Sequence, residues 1–97
     1  MPAAVTFHPN AAREFQAVYH WYLDRHESTA QAFLAELDIA IERIAANSTR
    51  RPLLAGDIRR YLLKRFPFSV IYRIRSEEIQ ILAIAHTRRR PRYWEAR

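Results

Sequence analysis

The sequence predicts an α+β fold: a short N-terminal strand, an antiparallel helical hairpin packed on an antiparallel β-meander, and a basic C-terminal tail. Three observations carry this. Apolar residues recur at helical spacing through the first half. The period drops to two in the second half. Between the halves lie Pro52 and the chain's single glycine, Gly56, residues that punctuate elements.

Each element has a local cause. Residues 3–7 are β-branched and aromatic, and His8-Pro9-Asn10 stops them. Pro9 suits a first helical turn that Asn10 or His8 caps. Phe15, Val18, Tyr19 and Tyr22 then mark one helix face, leaving Arg13, Glu14, Gln16 and Asp24 outside it, and the helix ends near Arg25-His26-Glu27. Ser28 and Gln31 have the spacing of a capping box for a second helix. Its stripe is Ala30, Phe33, Leu34, Leu37, Ile41 and Ile44, and it ends near Asn47-Ser48. The short gap between the helices folds them into a hairpin.

Residues 48–56 read as a loop and 57–65 as a strand of mixed polarity, interrupted at Pro67. In the strand from Phe68 to Arg75, one face carries Phe68, Val70, Tyr72 and Ile74. The other carries Ser69, Ile71, Arg73 and Arg75. Ser76-Glu77-Glu78 forms a tight connection. Ile79 to His86 is apolar on both faces, as a central or covered strand is. Pairing about that connection would place Leu82, Ile84 and His86 on the side of Arg73.

Ninety-seven residues suit one domain, spanning 1–97. With no cysteine there is no thiolate site or disulfide framework, which suits the cytoplasm. No segment has the pattern of a secretion signal or the length of a membrane span. Residues 1–56 carry five arginines against six acids, a net of −1. Residues 57–97 carry ten arginines and one lysine against four acids, a net of +7, which completes the chain's +6. Such polarity suits an acidic partner, be it nucleic acid, anionic lipid or an acidic protein segment.

The candidate binding residues follow from that asymmetry. Arg59, Arg60, Arg73 and Arg75, joined by Lys64 and Arg65, are expected to converge into one cationic docking site on the meander. The alternative is a solvated face whose charges deter edge pairing. The terminal run of His86, Arg88, Arg89, Arg90, Pro91, Arg92, Tyr93 and Trp94 mixes guanidinium groups with rings, which hold phosphates, stack on bases or anchor a protein. Tyr93 and Trp94 can equally pack back onto the domain while the arginines stay wet. His86 carries an imidazole, the side chain most often used as a general acid or base, and is a candidate for that role with Arg73 and Tyr93 as helpers; the structural alternative is a hydrogen-bonded histidine at a strand end. His8, His20 and His26 have no metal-ligand spacing, and no cofactor-binding motif is present.

Several strings together resemble the ParE branch of the RelE/ParE toxin superfamily. They are Phe15…Trp21-Tyr22, Phe33…Leu37…Ile41…Ile44, Arg59-Arg60, Phe66-Pro67-Phe68-Ser69-Val70-Ile71-Tyr72-Arg73, and Ile81 to His86 followed by Arg88-Arg89-Arg90-Pro91 and Tyr93-Trp94. The resemblance spans nearly the whole chain. It implies the toxin of a bacterial type II toxin–antitoxin (plasmid-stabilisation) module, neutralised by an acidic antitoxin. In the ParE branch the implied target is DNA gyrase, inhibited by binding without toxin-borne chemistry. In the RelE branch the implied activity is metal-independent mRNA cleavage on the ribosome, here through His86, Arg73 and Tyr93. The residues lean to ParE. Uncharged Ser69 stands in the early part of the strand, the region where the ribonuclease branch carries a basic residue, and Tyr93 comes late after the last strand.

Overall fold

The computed structural model describes residues 4–97. Strand β1 (Ala4–Phe7) leads into helix α1 (Pro9–Arg25) and helix α2 (Glu27–Ala46). Strands β2 (Leu53–Ala55), β3 (Ile58–Leu62), β4 (Phe68–Arg75) and β5 (Glu78–His86) follow. They form one five-stranded sheet in the order β1-β5-β4-β3-β2. The predicted strand at 3–7 is present from Ala4, and Ala3 lies outside the described residues.

The helices begin and end as short-range chemistry dictates. The His8 imidazole caps α1 by accepting from the Asn10 N–H at 3.0 Å, and Pro9 sits in the first turn, where no helical N–H is required. At the other end the Arg25 guanidinium donates to the Trp21 carbonyl at 2.8 Å, offsetting the negative end of the helix dipole. The predicted capping box does not form. The helices are separated by His26 alone, so α2 already starts at Glu27 and Ser28 falls inside its first turn. The Ser28 hydroxyl instead lies 2.8 Å from the His26 ring.

The sheet differs from a plain meander in two ways. Leu53–Ala55, read as loop, is a short edge strand whose pairing to β3 is bulged. At the far edge β1 pairs with β5 in parallel, from Ala4↔Glu78 to Phe7↔Ile81, so β5 lies inside the sheet. This accounts for the apolar character of both faces of β5. Helices cover one face, burying Phe33, Leu37, Ala40 and Ile44 against Tyr61, Phe68, Val70, Tyr72, Ile79, Ile81 and Ile84. The second face is covered as well. The tail folds back over it, and Trp94, 4% exposed, packs with Ile58, Ile71, Leu82, Ala83 and Ala85.

A β-bulge overturns the expected side for the end of β5. Ile71 pairs with Ala83 but Tyr72 pairs with Ile81, so Leu82 is an extra residue. Before the bulge, Ile79 and Ile81 face the helices. Beyond it the alternation shifts by one, and Ile84 joins the helix-side core while Ala83 and Ala85 join Leu82 beneath Trp94. Leu82 therefore shares the face of Arg73. Ile84 and His86 do not.

Candidate functional site

Backbone groups of β5 beyond the end of β1 have no strand beside them, and these organise the tail. Pairing along the β1 side of β5 ends where the His8 N–H donates to the Ile81 carbonyl at 2.8 Å. Just beyond, the Leu82 carbonyl accepts from Arg97 Nη1 at 2.8 Å, and the Ile84 N–H donates to Glu14 Oε1 at 3.1 Å. Buried backbone groups demand such partners. Glu14 and Arg97 also pair with each other, at 2.9 and 3.0 Å through Nη1 and Nη2 of the guanidinium. The Tyr93 hydroxyl donates to the same carboxylate at 2.9 Å, and Arg89 Nη1 reaches it at 3.2 Å. The Arg89 guanidinium also stacks on the Tyr93 ring, 3.6 Å from its centroid. Burial, followed by the hydrogen bond and the charge of Glu14, pushes the Tyr93 hydroxyl up to about 12; Arg89 and Arg97 pull the other way. Helix α1 thus supplies the one carboxylate that clasps the basic tail.

The predicted cationic residues do not form one site. Arg59 faces the loop after α2, donating to the carbonyls of Thr49 at 2.9 Å and Arg51 at 2.6 Å. With the Tyr72 hydroxyl, which donates to the Ser48 carbonyl at 2.7 Å, it pins that loop. The Tyr72 hydroxyl is itself raised by burial, with Arg59 and Arg51 opposing the rise. Arg73 donates to Gln80 at 3.0 Å and to the Arg97 carbonyl at 3.2 Å. It and Arg75 line a small recess with Thr6, Glu78 and Gln80, which no tail residue lines. The reason is registry: Arg73 and Arg75 sit opposite Gln80 and Glu78, where polar partners are at hand.

Two larger concavities remain on the basic side. A groove of about 420 Å³ runs between the tail and the sheet, lined by Arg60, Arg89, Arg90 and Arg92 with Ser69, His86, Tyr93 and Trp94. Arg92 is partly engaged by Glu95. Arg88 and Arg90 are exposed. Across β3, a basin of about 570 Å³ is lined by Arg43, Arg50, Arg51, Arg60 and Lys64 around Tyr61. Only Arg60 lines both, so it links them at the sheet edge. The basin went unrecognised in the sequence, although Arg43, Asn47 and Arg50 follow the i, i+4, i+7 spacing of one helix face run on past its end.

The candidate acid–base trio is divided. His86 pairs with Phe68 on the helix side of the sheet, their rings edge-on with centroids 5.1 Å apart. Its Nδ1 accepts from the Arg88 N–H at 3.0 Å. Arg73 is five positions along β4 from Phe68 and on the opposite face, which puts it roughly 16 Å away along the strand. Tyr93 is held by Glu14. His86 also borders an apolar cleft of about 530 Å³ with Ala17, Val18, Trp21, Tyr22, Pro67 and Phe68. Trp21 is 54% exposed there, with the Arg25 guanidinium 3.7 Å from its ring centroid. Among the described residues no group of acids and histidines is placed to hold a metal ion. No described helix is long and apolar enough to cross a membrane.

Known proteins share this architecture. A chain of the chromosomal ParDE toxin–antitoxin system of P. aeruginosa superposes with a TM-score of 0.75 at 24% identity, over 87% of this chain and 95% of that one. A chain of the RelBE2 toxin–antitoxin complex of Mycobacterium tuberculosis gives 0.58 at 20% identity, over 89% and 99%. These likenesses establish the fold. No curated protein matches the chain. The family model described as the ParE toxin of the type II toxin–antitoxin system parDE matches residues 5–91. The chain therefore belongs to the ParE toxin family of type II toxin–antitoxin systems.

Proposed function

We propose that this ParE-family chain inhibits DNA gyrase by binding it, and that a cognate acidic antitoxin neutralises it. The observation that carries the binding reading is the division of His86, Arg73 and Tyr93. His86 lies over Phe68, Arg73 is bonded to Gln80 on the other face, and the Tyr93 hydroxyl is committed to Glu14. General acid–base catalysis needs such groups within reach of one reacting centre. Binding needs shaped, charged surface, and both faces of the molecule offer it. Arg60, Arg89 and Arg90 line the tail groove and Arg88 is exposed next to them in the chain, while Trp21 and its apolar cleft suit a partner's hydrophobic side chain. Trp94 serves by holding the tail in place. Arg59 does so by fixing the loop beside the basin.

The decisive experiment adds the purified toxin to a gyrase supercoiling reaction and, separately, to ribosomes programmed with mRNA. Loss of supercoiling with intact mRNA is the expected result, and prior addition of the antitoxin restores supercoiling. Cleaved mRNA with normal supercoiling overturns the proposal. One observation favours a second reading, a ribosome-dependent endoribonuclease: His86 and Tyr93 both border the tail groove with Arg89 and Arg90. The same pair of assays separates the two.

A further inference from the structure

The basin at the end of α2 has a composition that neither the fold nor a surface ion-pair network explains. Arg43, Arg50, Arg51, Arg60 and Lys64 line it, and no acidic residue does. Two of the five are held in place. Arg43 donates to the Tyr61 hydroxyl at 3.3 Å, and the Arg51 guanidinium lies 4.4 Å from the Tyr61 ring centroid. Arg50, Arg60 and Lys64 make no ion pair with any described residue. Glu36 accepts from the backbone N–H groups of Lys64 and Arg65 at 2.5 and 3.2 Å, and its carboxylate does not line the basin. The carboxyl end of α2 adds a partial negative charge of about half a unit, which five cations outweigh.

Size then discriminates among anions. An extended peptide turns side chains to one side only about every 7 Å, so a basin of this volume, roughly 10 Å across, meets about two of its carboxylates. A nucleic-acid strand brings one charge per nucleotide. A condensed phosphate concentrates its charge further, because neighbouring phosphorus atoms share a bridging oxygen, and guanidinium forks bind such oxygens in pairs. We infer that the basin lined by Arg43, Arg50, Arg51, Arg60 and Lys64 is a binding site for a condensed phosphate chain, either inorganic or the polyphosphate of a nucleotide. Such a site is independent of which macromolecule the toxin inhibits.

Calorimetric titration of the purified chain with sodium tripolyphosphate, at fixed ionic strength, tests it. Tripolyphosphate is expected to bind one to one, at least about tenfold tighter than an eight-nucleotide DNA strand or an eight-residue glutamate peptide. ATP titrated alongside tells the sources apart: matching affinity means that the chain of phosphates is what is read, and tighter ATP binding means that the nucleoside contributes. The exposed pair Arg50→Ala/Lys64→Ala should weaken binding about tenfold or more with an unchanged melting temperature. Arg88→Ala/Arg90→Ala on the tail should leave it unaltered. Should the paired variant melt early, Arg50→Gln alone supplies the measurement. Tighter binding of the peptide or the DNA, equal binding of sulfate at matched charge, or undiminished binding by the Arg50 and Lys64 variants overturns the site.

Discussion

Glu14 and Arg97 lie 83 positions apart in sequence, yet join through two hydrogen bonds of 2.9 and 3.0 Å. Each also satisfies a backbone group of β5 that lies beyond the end of β1, Ile84 N–H for Glu14 and the Leu82 carbonyl for Arg97. Both side chains are largely buried. A buried charge deprived of its partner is costly. Glu14→Ala should therefore destabilise the chain by about 3 kcal/mol, with Arg97→Ala close behind. Urea denaturation of the two single variants and the double measures this. Strong non-additivity in the double-mutant cycle is the expected signature, and simple additivity would show that the clasp is not one unit.

The same clasp sets an alkaline limit. The Tyr93 hydroxyl stands at about 12 in the folded chain against 10.0 when unperturbed. Between those values the unfolded chain has lost a proton that the folded chain retains. Stability is thus complete below pH 10 and falls as pH rises towards 12. Solvent reaches the ring, so the loss attributable to Tyr93 should stay near 1 kcal/mol. Tyr93→Phe removes that part of the slope. Denaturation midpoints at pH 9, 10 and 11 for the two proteins provide the check.

The two tryptophans should behave oppositely. Trp94 fills the second core at 4% exposure, whereas Trp21 is 54% exposed. Trp94→Ala should cost about 3–5 kcal/mol. Trp21→Ala should change stability by no more than about 0.5 kcal/mol while weakening partner binding. Chemical denaturation and antitoxin titration of the two variants distinguish a core ring from a docking ring.

Ser76 and Glu77 make the two-residue turn between β4 and β5 with φ of 51° and 56°. Both lie in the left-handed region, which a turn of this type requires and which asparagine and glycine adopt at least cost. Replacing Ser76-Glu77 by Asn-Gly should raise stability by about 1 kcal/mol. A lower melting temperature for that variant would mean that Ser76 or Glu77 holds something besides the turn.

His86→Ala tests the functional reading in cells. Under the binding reading the variant still arrests growth and still blocks supercoiling. Loss of toxicity by a variant that remains folded and binds gyrase normally would return catalysis to His86.

Much of this architecture was legible because periodicity is a local property. Phe15, Val18 and Tyr22 announced α1, and Phe68, Val70, Tyr72 and Ile74 announced the inner face of β4. The ordered strings from Phe15 to Trp94 likewise pointed to the family that the comparison of residues 5–91 established. Other features arise between elements. Leu53–Ala55 is a strand only because β3 stands beside it. Ser28 cannot cap a helix that begins at Glu27, a boundary set by how tightly the hairpin turns at His26.

The sequence alone determined the type and order of the long elements, the family, and the excess of cations in residues 57–97. Tertiary structure decided where those cations go. One inserted residue, Leu82, turned His86 away from Arg73, and one helix carboxylate, Glu14, drew Arg89, Tyr93 and Arg97 together. Helical and strand patterns depend on neighbours a few positions away. The partner of a charged side chain depends on what the folded chain brings within about 3 Å of it, and spacing along the sequence carries no record of that.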